Sequence, residues 1–204
     1  YIGSGNEKLS NIKERLVMKH TKTIALLSSA AILLGACGNG GSDSASNKKD
    51  EGTKDATVAV KDIKTKPEDA IKKAQQTYKN QDLKDISYEK SNGDWVYKVE
   101  QQDTKNNKES EVIINDKDKK VIHKETEKGE SNQSNDAFKY SDVKNYKDAI
   151  KSAQKDFDGD VKEWSLSKDD GKLVYNFDLQ KGKEKHEVTV DAKTGKVLDN
   201  QKDD

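Results

Sequence analysis

The 204 residues carry 38 basic and 38 acidic side chains, with 37% charged and only 30% hydrophobic. Such a chain supports one or two small cores joined by polar segments. Arg15 is the only arginine, and from Cys37 onward 33 lysines face 36 acids, so the basic face and arginine forks of a nucleic-acid binder are both missing.

The chain opens at Tyr1, and its only methionine is Met18. Lys19, His20 and Lys22 precede the run "TIALLSSAAILLGA" (Thr23 to Ala36). This is the basic, apolar, small-residue order of a signal peptide over 18–36. The run is about 14 residues long, short of the roughly 20 that span a bilayer. Residues 1–17 are expected to be an untranslated upstream extension. Codons for Lys13-Glu14-Arg15 can read as a ribosome-binding sequence just before Met18. A genuinely long basic leader is the other reading.

Leu34-Gly35-Ala36-Cys37 ends the apolar run and holds the only cysteine. A lone cysteine can be a small buried hydrophobe, a nucleophile or half of an intermolecular disulfide. A nucleophile needs a base held beside it, and this segment has no core to hold one. The tetrapeptide resembles the bacterial lipobox. The resemblance implies diacylglycerol transfer to the Cys37 sulfur and cleavage after Ala36, leaving 168 residues. Two acyl chains hold a protein stably where one holds weakly. The expected location is therefore the outer face of a bacterial membrane, with the lipid on Cys37 as the membrane partner. A composition rich in lysine and asparagine and poor in arginine points to an A/T-rich, low-GC Gram-positive source.

Residues 37–62 are rich in Gly, Ser, Asn, Asp and Lys and read as a tether that cannot order itself, with "TVAV" (Thr57 to Val60) as a possible short strand. Beyond it the chain repeats itself. "DAIKKAQ" at Asp69 recurs as "DAIKSAQ" at Asp148, and "LKDISYEK" at Leu83 as "VKEWSLSK" at Val161. "GDWVYKV" at Gly93 recurs as "GKLVYNF" at Gly171, and "EVIINDKDKKVI" at Glu111 as "EVTVDAKTGKVL" at Glu187. The repeats span 63–126 and 138–204, with 127–137 between them.

Each repeat opens with a helix. Ile71, Ala74 and Tyr78, and likewise Ile150, Ala153 and Phe157, form one apolar stripe. Thr65 and Glu68 have the spacing of a capping box around Pro67, and Asn145 caps the second helix. Four strands follow. Ile86 and Tyr88, then Trp95, Tyr97 and Val99, then Val112 and Ile114 alternate with wetter neighbours. Trp164 and Leu166, then Leu173, Tyr175, Phe177 and Leu179, then Val188 and Val190 do the same in the second copy. "DAKTGKV" reads as a hairpin loop with Gly195 at positive φ. The helix must cover the apolar face, so the fold class is α+β, two repeats of one helix on a four-stranded antiparallel sheet.

"DAI..A", "GKLVYNF" and "HEVTVDAKTGKVL" together resemble the PepSY domain, closely in the second repeat. The first is more diverged, with "NDKDKKV" where the family shows D-A-x-T-G. Tandem PepSY repeats are similar in fold to β-lactamase inhibitor protein, and the family occurs in propeptides and regulators of secreted peptidases and in surface lipoproteins. The resemblance implies a binding or inhibitory module with a secreted or envelope peptidase, or another envelope protein, as partner. It brings no catalytic motif.

The residues themselves add little chemistry. Asp156, Asp158 and Asp160 have calcium-loop spacing, but Val161 and Ser167 stand where Gly and Glu belong; a solvated turn is expected. His123 and His186 lie far in sequence from other soft ligands, so no metal is expected. No cofactor motif and no hydrolase motif is present. Val96, Ile113, Val174 and Leu198 fall on the wetter sheet face. They read as a partner surface, as the contact between repeats, or as scattered exposed aliphatics. Two functions compete: a lipid-anchored, non-enzymatic binding or peptidase-regulating module, and a small-ligand or ion receptor working beside a transporter. A spacer or adhesive module is a third.

Overall fold

A computed structural model describes residues 56–129 and 135–203. The leader, Cys37 and most of the tether lie outside the described residues.

The two helices are α1 (Pro67–Thr77) and α2 (Tyr146–Asp156). The eight strands are β1 (Asp82–Ser91), β2 (Asp94–Asp103), β3 (Lys108–Asn115), β4 (Val121–Lys128), β5 (Asp160–Asp169), β6 (Lys172–Lys181), β7 (Glu184–Asp191) and β8 (Val197–Asp203). Each repeat is a helix followed by a four-stranded meander, as expected. Helix residues Ala70, Ile71 and Ala74, and Ala149, Ile150 and Ala153, are buried against the alternating apolar strand residues. Burying each large core side chain contributes about 1.5–3 kcal/mol. The first hairpin of each repeat turns on Asn92-Gly93 or Asp170-Gly171, all four at positive φ, which matches the twist of the flanking strands.

The two meanders are not separate sheets. They fuse into one eight-stranded antiparallel sheet of order β4-β3-β2-β1-β5-β6-β7-β8. β1 meets β5 through the pairs Asp85↔Ser167, Ile86↔Leu166, Ser87↔Ser165 and Tyr88↔Trp164. Ser87 and Ser165 are equivalent positions of the two repeats, so this pair marks a pseudo-twofold axis. Ile86↔Leu166 and Tyr88↔Trp164 are exchanged by it. The repeats thus associate as a symmetric dimer does, with the same edge used on both sides, but within one chain.

The segments before the helices strengthen the joint by crossing it. Val58 exchanges backbone hydrogen bonds with Val161 of the second repeat. Phe138 N–H donates to Leu83 C=O of the first. Leu83 and Val161 are again equivalent positions. The tether boundary at 62 is therefore too late. Val58 belongs to the core and Val60–Asp62 is a 3-10 turn, so "TVAV" supplies a bridge and not a full strand. The expected linker loses its first two residues, because β4 runs to Lys128, while Phe138, the first residue expected in the second repeat, packs on the core.

The capping box does not form. Lys66 is the cap residue of α1 and makes no side-chain bond to it. Thr65 is buried, and its hydroxyl donates to the Asp116 main-chain oxygen. The Asp116 carboxylate accepts from Lys64 N–H at 3.1 Å, Thr65 N–H at 2.7 Å and the Tyr88 hydroxyl at 3.2 Å. One buried side chain thereby fixes the entry to α1 onto β1. The second repeat has Ala192 at this place, and Lys144 N–H donates to its carbonyl instead. Asn145 caps α2 as expected, accepting from Lys147 N–H at 2.9 Å. Gly195 has φ 74° as expected, while its counterpart in the first repeat is Lys119 at φ 58°.

Asp116→Ala leaves two amides and a phenol without their acceptor. It is expected to cost about 2–4 kcal/mol in urea unfolding, with Asp116→Asn recovering part of the loss.

Candidate functional site: the helix-free face of the sheet

Both helices pack on one face of the sheet, and among the described residues the other face carries no second layer. Of the four aliphatics expected to be exposed there, three are not. Val96, Ile113 and Val174 are 0%, 8% and 4% exposed, while Leu198 is 50% exposed beside the β7–β8 bulge. They also do not join the repeats, which meet edge to edge through β1 and β5. Their cover comes from charged neighbours on the same face, such as the Lys98–Glu89 ion pair. Three of the four therefore offer little apolar surface for docking.

The face is instead organised by carboxylates. Strand register places Asp85 opposite Glu100, Glu100 opposite Glu111, and Glu111 opposite Glu125. That is one row of acids across β1 to β4. The second repeat has the equivalent row: Glu163 opposite Asp178, Asp178 opposite Glu187, and Glu187 opposite Gln201. Like charges directly opposed across strands repel. Only limited countercharge offsets them. Lys84, the extra residue of the β1 bulge, reaches Glu109 at 2.6 Å and Glu100 at 3.7 Å. Its counterpart Lys162, at the β5 bulge, acts on Glu163 and Asp178.

The carboxyl groups respond accordingly. Burial pushes Glu163 up to about 7, helped by Asp178 and Glu89. Burial and then Glu187 push Asp178 up to about 6. Asp85, Glu100, Glu111 and Glu187 are raised by the same two causes, desolvation first and neighbouring acids after it. The face therefore holds its charge at an energetic cost. It is suited to a cationic surface that would relieve the repulsion.

The remaining candidates fare differently. Asp158 pairs with Lys181 at 3.2 Å, and Asp156, Asp158 and Asp160 do not converge as ligands among the described residues. His186 stacks on Phe157 with ring centroids 4.0 Å apart and contacts Asn200 at 2.6 Å. His123 is not isolated. Cross-strand pairing brings it beside Glu111 and Glu125. A cavity of about 430 Å³ is lined by Thr57, Gln154, Asp160 and Gln180, and so belongs to the second repeat and the segment bonded to it, not to a cleft between the two meanders.

The fold and face define a class: a tandem α+β repeat module presenting one polar sheet face. The model of the peptidase propeptide and YPEB domain family, PepSY, matches residues 66–125 and 144–200, and the chain belongs to that family, with two copies of the domain. It is similar to the crystal structure of a candidate lipoprotein from Clostridium difficile 630, at 32% identity and TM-score 0.65, covering 72% of this chain and 99% of that one. No curated protein matches the chain.

Groups whose folded pKa is raised bind more protons folded than unfolded. Stability is then highest below their ordinary carboxylate range and falls as pH rises through the folded values of about 6 and 7 for Asp178 and Glu163. The melting temperature is expected to be higher at pH 5 than at pH 8 by about 5 °C. Glu163→Gln should raise the pH 8 value and flatten the slope.

Proposed function

We propose that the protein is a non-enzymatic docking module, held to the outer face of a bacterial membrane by lipid on Cys37, whose helix-free sheet face binds a cationic surface of a secreted or envelope peptidase or another envelope protein. The observation that carries this reading is the pair of equivalent carboxylate rows, one in each repeat, held close together without full countercharge. Two copies of one acidic row on a single rigid sheet offer a partner two matched contacts.

Anchoring is supported by the lipobox-like "LGAC" and by likeness to the candidate lipoprotein. Among the described residues no helix is long and apolar enough to cross a membrane. Family membership supports a regulatory role toward peptidases. The small-ligand receptor reading draws less support, because the polar cavity at Thr57 and Gln180 lies beside one repeat.

Two substitutions test the parts separately. Cys37→Ala is expected to release the chain from the membrane fraction. Glu163→Lys with Glu187→Lys is expected to leave it anchored while removing the crosslinks that a photoreactive group at Ser165 makes in intact cells. Crosslinks that persist unchanged would contradict docking on this face.

A further inference from the structure

The first repeat differs from the second at one end of its carboxylate row. There Glu111 on β3, and His123 and Glu125 on the edge strand β4, each place a ligating atom within 4.8 Å of the others. Glu111 faces Glu125 directly across the strands, and His123 faces Ile113 one rung away. His123 Nε2 lies 3.5 Å from Glu125 Oε2. This is close to the roughly 3.4 Å separating two ligands of a tetrahedral ion with bonds of about 2.1 Å.

Glu111 marks the group as more than a surface cluster. Its side chain belongs to a residue only 7% exposed, and Oε1 is buried with no hydrogen-bond partner among the described residues. A carboxylate oxygen withdrawn from water and left unpaired is costly. A directly opposed second carboxylate adds to that cost. Lys98 is drawn to Glu89, and Lys84 to Glu109 and Glu100. A cation between Glu111 and Glu125 would offset the desolvation of the Glu111 carboxylate and remove the repulsion together.

We propose that Glu111, His123 and Glu125 bind one divalent transition-metal ion of the zinc class. Two carboxylates and an imidazole suit such an ion, and the nitrogen ligand argues against calcium or magnesium. Glu111 is the buried anchor. His123 and Glu125 close the site from the edge strand, where their side chains are 30% and 46% exposed. That leaves one coordination position toward solvent. The second repeat has Asp199 where His123 stands and Gln201 where Glu125 stands, so it keeps two carboxylates but lacks the imidazole, and serves as an internal comparison. The site shares Glu111 and Glu125 with the carboxylate row but needs no docked partner: it ties β3 to β4 whether or not one binds.

The test is titration of Zn²⁺, and of Co²⁺ as a spectroscopic stand-in, into the metal-stripped full chain in detergent. One ion per chain is expected, with Co²⁺ bands of four-coordinate geometry. Melting should rise by about 5–10 °C at a hundredfold excess over Kd. His123→Asn and Glu111→Gln should each weaken binding by about 100-fold, and His186→Asn should leave it unchanged. His123→Asn changes a partly exposed edge residue, and its far-ultraviolet spectrum and metal-free melting should match the native chain. Absence of stoichiometric Zn²⁺ uptake, uptake that survives His123→Asn, or uptake lost equally in His186→Asn would overturn the site.

Discussion

The pairing of β1 with β5 is the constraint on which the rest of the molecule depends. Each repeat alone would expose a hydrogen-bonding edge carrying Ile86 and Tyr88, or Trp164 and Leu166. Open edges of that kind invite uncontrolled association. Here each repeat covers the edge of the other, and the outermost strands β4 and β8 are short and charged, as protected edges usually are. The joint also gathers aromatics on the helix side. Trp164 is fully buried, stacks with Tyr146 at 5.6 Å and meets Tyr97 and Tyr175 at 6.0 Å. Segments ahead of both helices then cross the axis and bond to the opposite repeat. The cores of the two repeats consequently form one cluster.

Fusing the sheets has an electrostatic consequence. Each meander brings a carboxylate row on the face away from its helix, and the symmetric joint puts both rows on the same side of one sheet. At the joint, Glu163 of one row helps raise the proton affinity of Asp85 in the other, and Glu89 of the first repeat helps raise that of Glu163. The helix side of the sheet supplies stability, while the opposite side carries a repulsion that is only partly relieved by Lys84 and Lys162. In the docking proposal, this unsatisfied charge on a well-supported surface is ready for a cationic partner without moving parts. At one corner of the face, the His123 imidazole lies beside the opposed Glu111 and Glu125.

Much of the fold was legible because period-two alternation and the repeat itself report the buried face directly. Ile86, Tyr97, Val112, Tyr175 and Val188 were all expected on it. What failed were the readings that depend on partners distant in sequence. Thr65 has good capping-box spacing, but Asp116 in the distant β3–β4 turn takes its hydroxyl. Val58 looks like tether until Val161 is brought to it. Val96, Ile113 and Val174 were placed on the correct face, yet their covering depends on long charged neighbours that periodicity does not weigh. The carboxylate rows did leave a signal. Asp85, Glu100 and Glu111 recur as Glu163, Asp178 and Glu187, on alternate positions from the core residues. Sequence spacing leaves His123 isolated, because it cannot show that β4 lies beside β3.

The central claim is that the helix-free face is a set of desolvated, mutually repelling carboxylates. Carboxyl-carbon NMR titration of the full chain, observing Glu163 and Asp178 individually, tests it most directly. The account predicts midpoints of about 7 and about 6, with the Glu163 midpoint falling when Asp178 is replaced by asparagine. Both groups titrating near 4, in the ordinary carboxylate range, would contradict it.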